Sequence, residues 1–370
     1  MSKEIIFFHP YFSNGGVERT NIGLAKGLLE HGYHVVFLTT SYSEHFLDEV
    51  FKMGIEFISL GNKPISMIVF DLISFLNNRS IDRNIVFISC QYYVNVISMV
   101  ASLLIKRRKN IFFINSERNH INELNIRHSL KDYLIIILVK ILYRYSDKII
   151  ANSQETADSL SKIVQKEVCC VYNPTINTRL LKLKDEEIYE SWYKNDGRKI
   201  IISIGRFCFQ KDFYTLIRAF KEFNNVNEYK LVIIGDGPEK TKIEDFVQKL
   251  GIKEHVILPG YVKNPYKFLK YASLFVLSSL NEGLPNVLIE ALYLGVPSIS
   301  TKCKSGPAEI LLNDDLLVEV GNYKDMAKKM DNILKLDDDA IRYLFKKTFD
   351  NLYRFEFNNS IYNFLRIIET

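Results

Sequence analysis

Two glutamates, Glu282 and Glu290, stand seven uncharged residues apart in the stretch NEGLPNVLIEALYLGVPSIS at 281–300. Around the second, Val287, Leu288, Ile289, Ala291, Leu292 and Leu294 leave almost no polar face on a helix that Pro285 would open and Gly295 would close. That helix is expected to be buried. A carboxylate carried inside with it is costly without partners, so Glu290 is expected to accept hydrogen bonds from a ligand or a neighbouring side chain. Glu282 and Gly283 precede the helix, where unsatisfied N–H groups gather. A capping carboxylate plus one satisfied core glutamate would give the same spacing. A second group, Arg206 and Lys211 in ISIGRFCFQKD at 202–212, follows a strand pattern, and both cations would reach one diphosphate. A bare surface pair is the competing account. A third, FSNGGVER at 12–19, sets Gly15 and Gly16 between a strand and a helix. There, backbone N–H groups and the helix dipole favour a negative ligand, although a plain tight turn has the same pattern. It is not the GxGxxG fingerprint of dinucleotide folds. IIGDGPEK at 233–240 also departs from that fingerprint, because Lys240 stands where its last glycine would be; Gly235 and Gly237 read as a structural turn.

These groups need strands to hold them. EIIFFHP, YHVVFLTT and the runs at 55–60, 85–89, 111–115 and 148–151 read as buried strands, and GGVERTNIGLAKGLLEHG reads as a helix ending at Gly32. After Asn173 and Pro174 the composition changes, and residues 181–197 are polar enough for a linker or a surface helix. The pattern then restarts with strands at 199–204, 229–234, 256–258, 274–277 and 298–300, and helices at 212–224 and 238–250. Apolar strands alternating with helices imply parallel sheets covered on both faces. Two doubly wound halves would place ligands between them, at the carboxyl ends of the strands.

At 370 residues the chain fits two domains of ordinary size, and 47% hydrophobic with 25% charged residues is globular rather than disordered. The net charge of +5 is concentrated: Lys106, Arg107, Arg108, Lys109, Arg127, Lys131, Lys140, Arg144 and Lys148 all fall in the first half. Such a patch suits nucleic acid, anionic lipid or phosphorylated substrates, and a solvated helix face is the plainer account. The five cysteines include the vicinal Cys169 and Cys170 but no CxxC spacing, so neither a disulfide framework nor a zinc site is indicated and a reducing setting fits. MSKEIIFFHPYF lacks the pattern of a signal peptide. The apolar run YLIIILVKIL at 133–142 falls short of the ~20 residues a spanning helix needs. A soluble or peripheral protein is expected.

Taken in order, NGGVER, GRFCFQKD and the E-x7-E of EGLPNVLIE resemble the retaining glycosyltransferases of family 4. VYNPT at 171–175, LPGYVKNP at 258–265 and SGPAEIL at 305–311 match patterns of the same family, so the resemblance covers nearly the whole chain. It implies the α/β GT-B fold, two Rossmann-like doubly wound parallel-sheet domains facing across a cleft. Residues 1–180 would bind the acceptor, 181–197 would link, 198–352 would bind the nucleotide-sugar, and a helix in 353–370 would return to the first domain. By the same resemblance Glu290 would take the ribose hydroxyls, with Asn286 nearby, and Glu282 would sit at the donor sugar beside the backbone of Gly283 and Leu284. Arg206 and Lys211 would hold the diphosphate and stabilise the charge that develops on it. Gly15 and Gly16 would offer backbone N–H groups to the same phosphates, and Tyr261 and Val262 would offer backbone to the base. The family often places a histidine over the donor sugar just after the strand that here ends near Asn115. In NSERNH that place falls to Arg118, with His120 two residues later, and both are candidates. Neither a cofactor nor a metal is implied, and Asp337, Asp338 and Asp339 read as a helix cap rather than a metal motif.

GGVE and SGPAEI resemble enzymes that assemble bacterial surface polysaccharide on polyprenyl-diphosphate carriers. The implied activity is metal-independent transfer of a sugar, with retention, from a nucleotide donor, expected to be a UDP-sugar, to a saccharide acceptor that is lipid-linked. The implied location is cytoplasmic, peripheral on the inner membrane, with no nucleic-acid partner. The basic clusters and the Lys-punctuated helix expected at 131–148 would suit docking on an anionic membrane, against the competing account of a packed helix with a solvated face. Two other classes share these motifs: a nucleotide-sugar epimerase of the same fold, which needs no acceptor, and a non-catalytic scaffold. A scaffold would usually have lost the E-x7-E or Arg/Lys pair, and both pairs are intact.

Overall fold

The computed structural model describes residues 3–12, 15–43, 47–81, 83–118, 130–190, 192–193, 196–223 and 225–369. Short, mostly apolar runs form the strands, and these sort into two parallel sheets. The first contains β1 (Glu4–His9), β2 (His34–Thr39), β3 (Glu56–Ser59), β4 (Ile85–Cys90), β5 (Ile111–Glu117), β6 (Lys148–Ala151) and β7 (Cys169–Cys170), in the order β3-β2-β1-β4-β5-β6-β7. The second contains β8 (Lys199–Ile204), β9 (Tyr229–Ile234), β10 (Val256–Gly260), β11 (Leu274–Leu277), β12 (Ser298–Thr301) and β13 (Leu317–Val318), in the order β10-β9-β8-β11-β12-β13. Each sheet reverses its winding once, at β1/β4 and at β8/β11. At such a point neighbouring connections leave on opposite faces and open a crevice outside the carboxyl ends of the strands.

Alternate side chains of β1 feed two cores. Ile5 and Phe7 pack with the helices Gly16–Glu30 and Phe357–Ile368 on one face, while Ile6 and Phe8 pack with Ile65–Arg79 and Tyr92–Ser102 on the other. The C-terminal helix thus completes the first unit. Gly27 lets it approach, since a Cβ there would lie 2.3 Å from Ile361 Cδ1. Phe364 stacks on Phe7 with centroids 6.4 Å apart, and Lys3 Nζ donates to Ile368 O at 2.7 Å. The chain accordingly divides into Met1–Pro174 with Phe357–Thr370, and Thr175–Glu356. The boundary falls at Pro174, where the composition changes, six residues ahead of the 180 expected as the end of the first domain.

The polar segment 181–197 belongs to the second unit. Lys267 Nζ pairs with Glu190 at 2.7 Å and donates to Glu187 O at 3.0 Å, Lys270 pairs with Asp185 at 2.8 Å, and Trp192 packs on Phe268 at 4.5 Å. The helix expected at 131–148 is shorter than its apolar pattern: it spans Leu130–Leu142, then a 3-10 turn Tyr143–Tyr145 leads into β6. Buried Tyr143, donating from its hydroxyl to Glu117, pulls the chain inward there, and Asp147 accepts from Phe113 N–H at 2.7 Å to start the strand.

Candidate functional site

The loops that follow β8 and β11 are laced together. Leu280 N–H donates to Gln210 O at 2.8 Å, Gln210 Nε2 donates to Asn281 O at 2.8 Å, and Ser278 Oγ donates to Lys211 O at 2.7 Å. Asp212 adopts φ 41° and caps the helix Phe213–Glu222 by accepting from Thr215 N–H and, at 2.6 Å, from Thr215 Oγ1. Burial raises its carboxyl above the ordinary range, against those hydrogen bonds. With the loop fixed, Lys211 Nζ lies 2.5 Å from Glu282 Oε1, and Ser279 Oγ donates to the same oxygen at 2.6 Å. Glu282 is 7% exposed, a desolvation that a carboxylate tolerates only with such partners. Residues 71 positions apart in sequence therefore form one cluster. Cys303 is buried next to it, where burial first and the charge of Glu282 second push the thiol up to about 12. Arg206 stands exposed at the start of the β8 loop.

Two glycine turns support this cluster from behind. A Cβ on Gly235 would lie 1.9 Å from Gly205 O, and one on Gly237 would lie 2.4 Å from Phe207 O, so the turn after β9 is pressed backbone to backbone against the β8 loop. Phe207 N–H donates to Asp236 O at 2.9 Å and Glu239 N–H donates to Phe207 O at 3.0 Å. This is the structural turn expected of IIGDGPEK. Gly306, at φ +78°, meets Gly283 O in the same way, and Ser305 Oγ donates to that carbonyl at 2.8 Å.

The helix after Glu282 spans Asn286–Tyr293, with Pro285 capping it rather than lying in its first turn. It is not wholly buried as its composition suggested. Leu288, Ile289, Ala291 and Leu292 are inside, whereas Asn286, Val287 and Glu290 share a half-buried face. Glu290 Oε1 accepts from Tyr266 Oη at 2.9 Å, so one of its partners is a neighbour in the fold. Asn286 Oδ1 accepts from Thr175 Oγ1 at 3.1 Å. Leu284 is buried, Tyr261 is exposed and Val262 half-buried just past β10. Arg206, Lys211, Tyr261, Val262, Glu282, Gly283, Leu284, Asn286 and Glu290 thus all follow the carboxyl ends of β8, β10 and β11. Of these, Lys211 and Glu282 are in direct contact. Ser279 and Tyr266 were not singled out by sequence; a serine three residues before Glu282 was the available signal for the first.

In the first unit Gly15 caps the helix Gly16–Glu30 without a side-chain bond, and a Cβ on Gly16 would meet nothing within 4 Å. His120 lies outside the described residues. Arg118 is 5% exposed: Nη1 donates to Asn173 Oδ1 and Nη2 to Asn21 Oδ1, both at 3.0 Å, and its carbonyl accepts from Asn152 Nδ2 at 3.1 Å. It is a buried brace across the carboxyl ends of the first sheet. Asn21 passes the order on, with Nδ2 at 3.2 Å from His9 Nε2 and 3.1 Å from Cys90 Sγ. Burial first, then Arg118, lowers His9 to about 3. A histidine at the end of the apolar run EIIFFH was the sequence signal for this cluster.

Among the described residues one group has metal-ligand proximity, Glu4, His34 and Glu56. Arg79 Nε lies 2.6 Å from Glu4 Oε2, Arg83 Nη1 lies 2.5 Å from Glu4 Oε1, and Arg79 also pairs with Glu56, which makes it an ion-pair knot. Asp337 accepts from Ala340 N–H at 2.9 Å and caps the helix Asp338–Phe349. No helix among the described residues is long and apolar enough to cross a membrane.

Residues 14–178 match the family described as Glycosyltransferase Family 4, and residues 184–344 match Glycosyl transferases group 1. The chain is 40% identical over 214 residues to an uncharacterized glycosyltransferase of Methanocaldococcus jannaschii, a match that covers 56% of this chain and 52% of that protein. It is 29% identical over 280 residues to the N-acetylgalactosamine-N,N'-diacetylbacillosaminyl-diphospho-undecaprenol 4-alpha-N-acetylgalactosaminyltransferase of Campylobacter jejuni, covering 73% of this chain and 71% of that one. Among solved structures, Anabaena HepE in complex with UDP and glucose superposes with a TM-score of 0.79 at 15% identity over 99% of each chain. The lipopolysaccharide outer core galactosyltransferase WaaB superposes with a TM-score of 0.66 at 21% identity, over 97% of this chain and 99% of that one. These likenesses establish the GT-B fold.

Proposed function

We propose that this chain, which belongs to the family 4 glycosyltransferases, moves a sugar from a UDP-sugar to a lipid-linked saccharide with retention of anomeric configuration. The observation that carries the reading is the buried Lys211–Glu282–Ser279 cluster at the β8/β11 reversal, where an open parallel sheet receives ligands. The UDP in the Anabaena structure and the undecaprenyl carrier in the name of the Campylobacter relative support the classes of donor and acceptor.

In this reading Glu290 accepts the two ribose hydroxyls, Tyr261 and Val262 offer backbone to the base, and Asn286 lines the same site. The bond between the anomeric carbon and the β-phosphate oxygen breaks, and negative charge collects on the departing UDP. Arg206 and Lys211 stabilise that charge where it develops. The diphosphate draws on the ammonium that Glu282 otherwise binds, while Ser279 keeps the carboxylate oriented toward the donor sugar beside Gly283 and Leu284. The acceptor hydroxyl attacks the anomeric carbon on the face the phosphate leaves, and its proton passes to a phosphate oxygen. One C–O bond forms as one breaks, on the same face, so configuration is retained. Gly15 and Gly16 open a helix whose N–H groups suit a negative group. The reading requires no metal ion.

The helix Leu130–Leu142 supports a cytoplasmic peripheral membrane contact. Tyr133, Leu134, Ile137, Leu138 and Ile141 are 37–63% exposed, an unusual density of apolar surface. Exposed Lys140 and Arg144 flank them, and Arg108 Nη2 donates to Tyr145 O at 3.3 Å, tying the basic turn 106–109 to the 3-10 turn that follows this helix. Such a surface fits an anionic leaflet.

The deciding experiment incubates the purified protein with UDP-sugars and a polyprenyl-diphosphate-linked saccharide, following UDP release and the anomeric configuration of the product by NMR. Acceptor-dependent release with retained configuration is expected. Conversion of the UDP-sugar without acceptor would identify an epimerase instead, and turnover of GDP-sugars alone would overturn the donor assignment.

A further inference from the structure

The hydroxyl of Tyr266 lies 2.9 Å from Glu290 Oε1, and nothing in the motif that contains Glu290 specifies it. We propose that Tyr266 is a positioning residue of the nucleotide site, whose hydroxyl fixes the Glu290 carboxylate in the orientation that receives the ribose. The inference rests on the assignment of Glu290 to the ribose hydroxyls.

Glu290 is half-buried on the helix Asn286–Tyr293 and carries three side-chain torsions. Ordering such a chain costs free energy at the moment of binding unless the fold has ordered it beforehand. Tyr266 is suited to that task because it is itself fixed. It is 6% exposed and begins the short helix Tyr266–Leu269, behind Pro265, whose ring restricts the backbone. Its own N–H donates to Asn264 Oδ1 at 3.1 Å. Asn264 Nδ2 donates in turn to Leu183 O at 2.7 Å and to Glu186 Oε2 at 2.8 Å. Lys267 and Lys270 clamp the same short helix onto Glu187, Glu190 and Asp185. The polar segment 183–190 therefore sets where Asn264 stands, Asn264 sets the tyrosine, and the tyrosine sets the carboxylate.

The stereochemistry agrees with two ribose donors. A carboxylate has about four lone-pair sites, so one phenolic donor and two ribose hydroxyls fit together on it. A phenol donates without adding charge, so it orients Glu290 without neutralising it, as a lysine in its place would.

The test measures the dissociation constants of UDP and of 2′,3′-dideoxy-UDP for the wild type, Tyr266→Phe, Glu290→Ala and the double variant. Tyr266→Phe keeps the buried ring, and an unchanged melting temperature without nucleotide checks that the fold survives. Loss of a hydrogen bond to a charged group predicts UDP binding about tenfold weaker in Tyr266→Phe, with dideoxy-UDP changed by less than about twofold. In the Glu290→Ala background the tyrosine substitution is expected to add nothing. Equal weakening of both nucleotides would make Tyr266 merely structural and overturn the proposal. Unchanged UDP affinity in Tyr266→Phe, alongside a loss in Glu290→Ala, would overturn it and leave the ribose assignment standing. If Glu290→Ala leaves UDP affinity unchanged, the ribose assignment falls and the proposal falls with it.

Discussion

His9 makes the first unit sensitive to mild acid. The ring is 1% exposed, stands edge-on to Phe12 at 5.2 Å and Phe37 at 5.7 Å, and faces Asn21 Nδ2 at 3.2 Å. Arg118 donates to Asn21 Oδ1, so the amide presents its NH2 to His9 Nε2, which must therefore accept. Only the neutral ring can do so. Burial first, and then the nearby charge of Arg118, lower the group's pKa from 6.5 to about 3, and protonation would also set N–H against NH2. A depressed histidine binds more protons unfolded than folded between those values, so stability is full above pH ~6.5 and falls as pH drops. With one unit worth 1.36 kcal/mol, the loss is about 2 kcal/mol at pH 5 and approaches about 5 kcal/mol near pH 3. For a unit of this size the loss at pH 5 corresponds to roughly 4–8 °C in Tm. Glu4, a shifted carboxylate in the same unit, acts only below pH 5: burial raises its pKa, but Arg79 and Arg83 outweigh burial and hold it under the ordinary carboxylate value of 4.5. The assay is urea denaturation between pH 7.5 and 5, for the wild type and for His9→Gln, whose amide oxygen still accepts from Asn21 but does not titrate. The variant is expected to be less stable at pH 7.5, through lost ring packing, yet to lose about 2 kcal/mol less on going to pH 5. Parallel pH profiles would refute the reasoning.

Gly235→Ala places a Cβ 1.9 Å from a backbone carbonyl that no rotamer change can move, and about 3 kcal/mol or more of stability is expected to be lost, whereas Gly251→Ala, at φ +70° with open space around it, should cost only about 1–2 kcal/mol. Comparable urea midpoints for the two would show that the β8 and β9 turns are less tightly pressed together than drawn. On the helix Leu130–Leu142, Ile137→Glu with Leu138→Glu is expected to abolish flotation with vesicles rich in anionic lipid. Arg107→Ala with Lys109→Ala should weaken it by about fivefold per charge removed, from the ~1 kcal/mol a surface cation contributes, and should do so on anionic vesicles alone. Binding that survives both pairs would assign the apolar face to something other than a membrane.

The sheet was legible because doubly covered parallel strands are largely apolar on both sides, so short runs such as IIFF at 5–8 or LFVL at 274–277, alternating with helical patterns, read as its strands. Cys169–Cys170 and Leu317–Val318, each two residues at a sheet edge, are too short to leave any periodic mark, and they escaped. The end of the helix at Leu142 escaped for a different reason. Its apolar pattern continues through Tyr143, but in the folded chain that residue begins a 3-10 turn and its hydroxyl bonds to Glu117, a distant residue at the end of β5. The site divides along the same line. Glu282, Glu290 and Lys211 are charged residues held at least partly inside apolar or glycine-rich surroundings, and that cost shows in a sequence. Ser279, Tyr266, Asn264 and Asn21 are cheap residues whose importance lies only in what they face, and facing is a property of the folded chain. A sequence therefore reveals the charges a site requires before it reveals the neutral donors that aim them. Here the aiming of Glu290 runs through Tyr266 and Asn264 to the 183–190 segment, whose polar composition suggested nothing more than a connection.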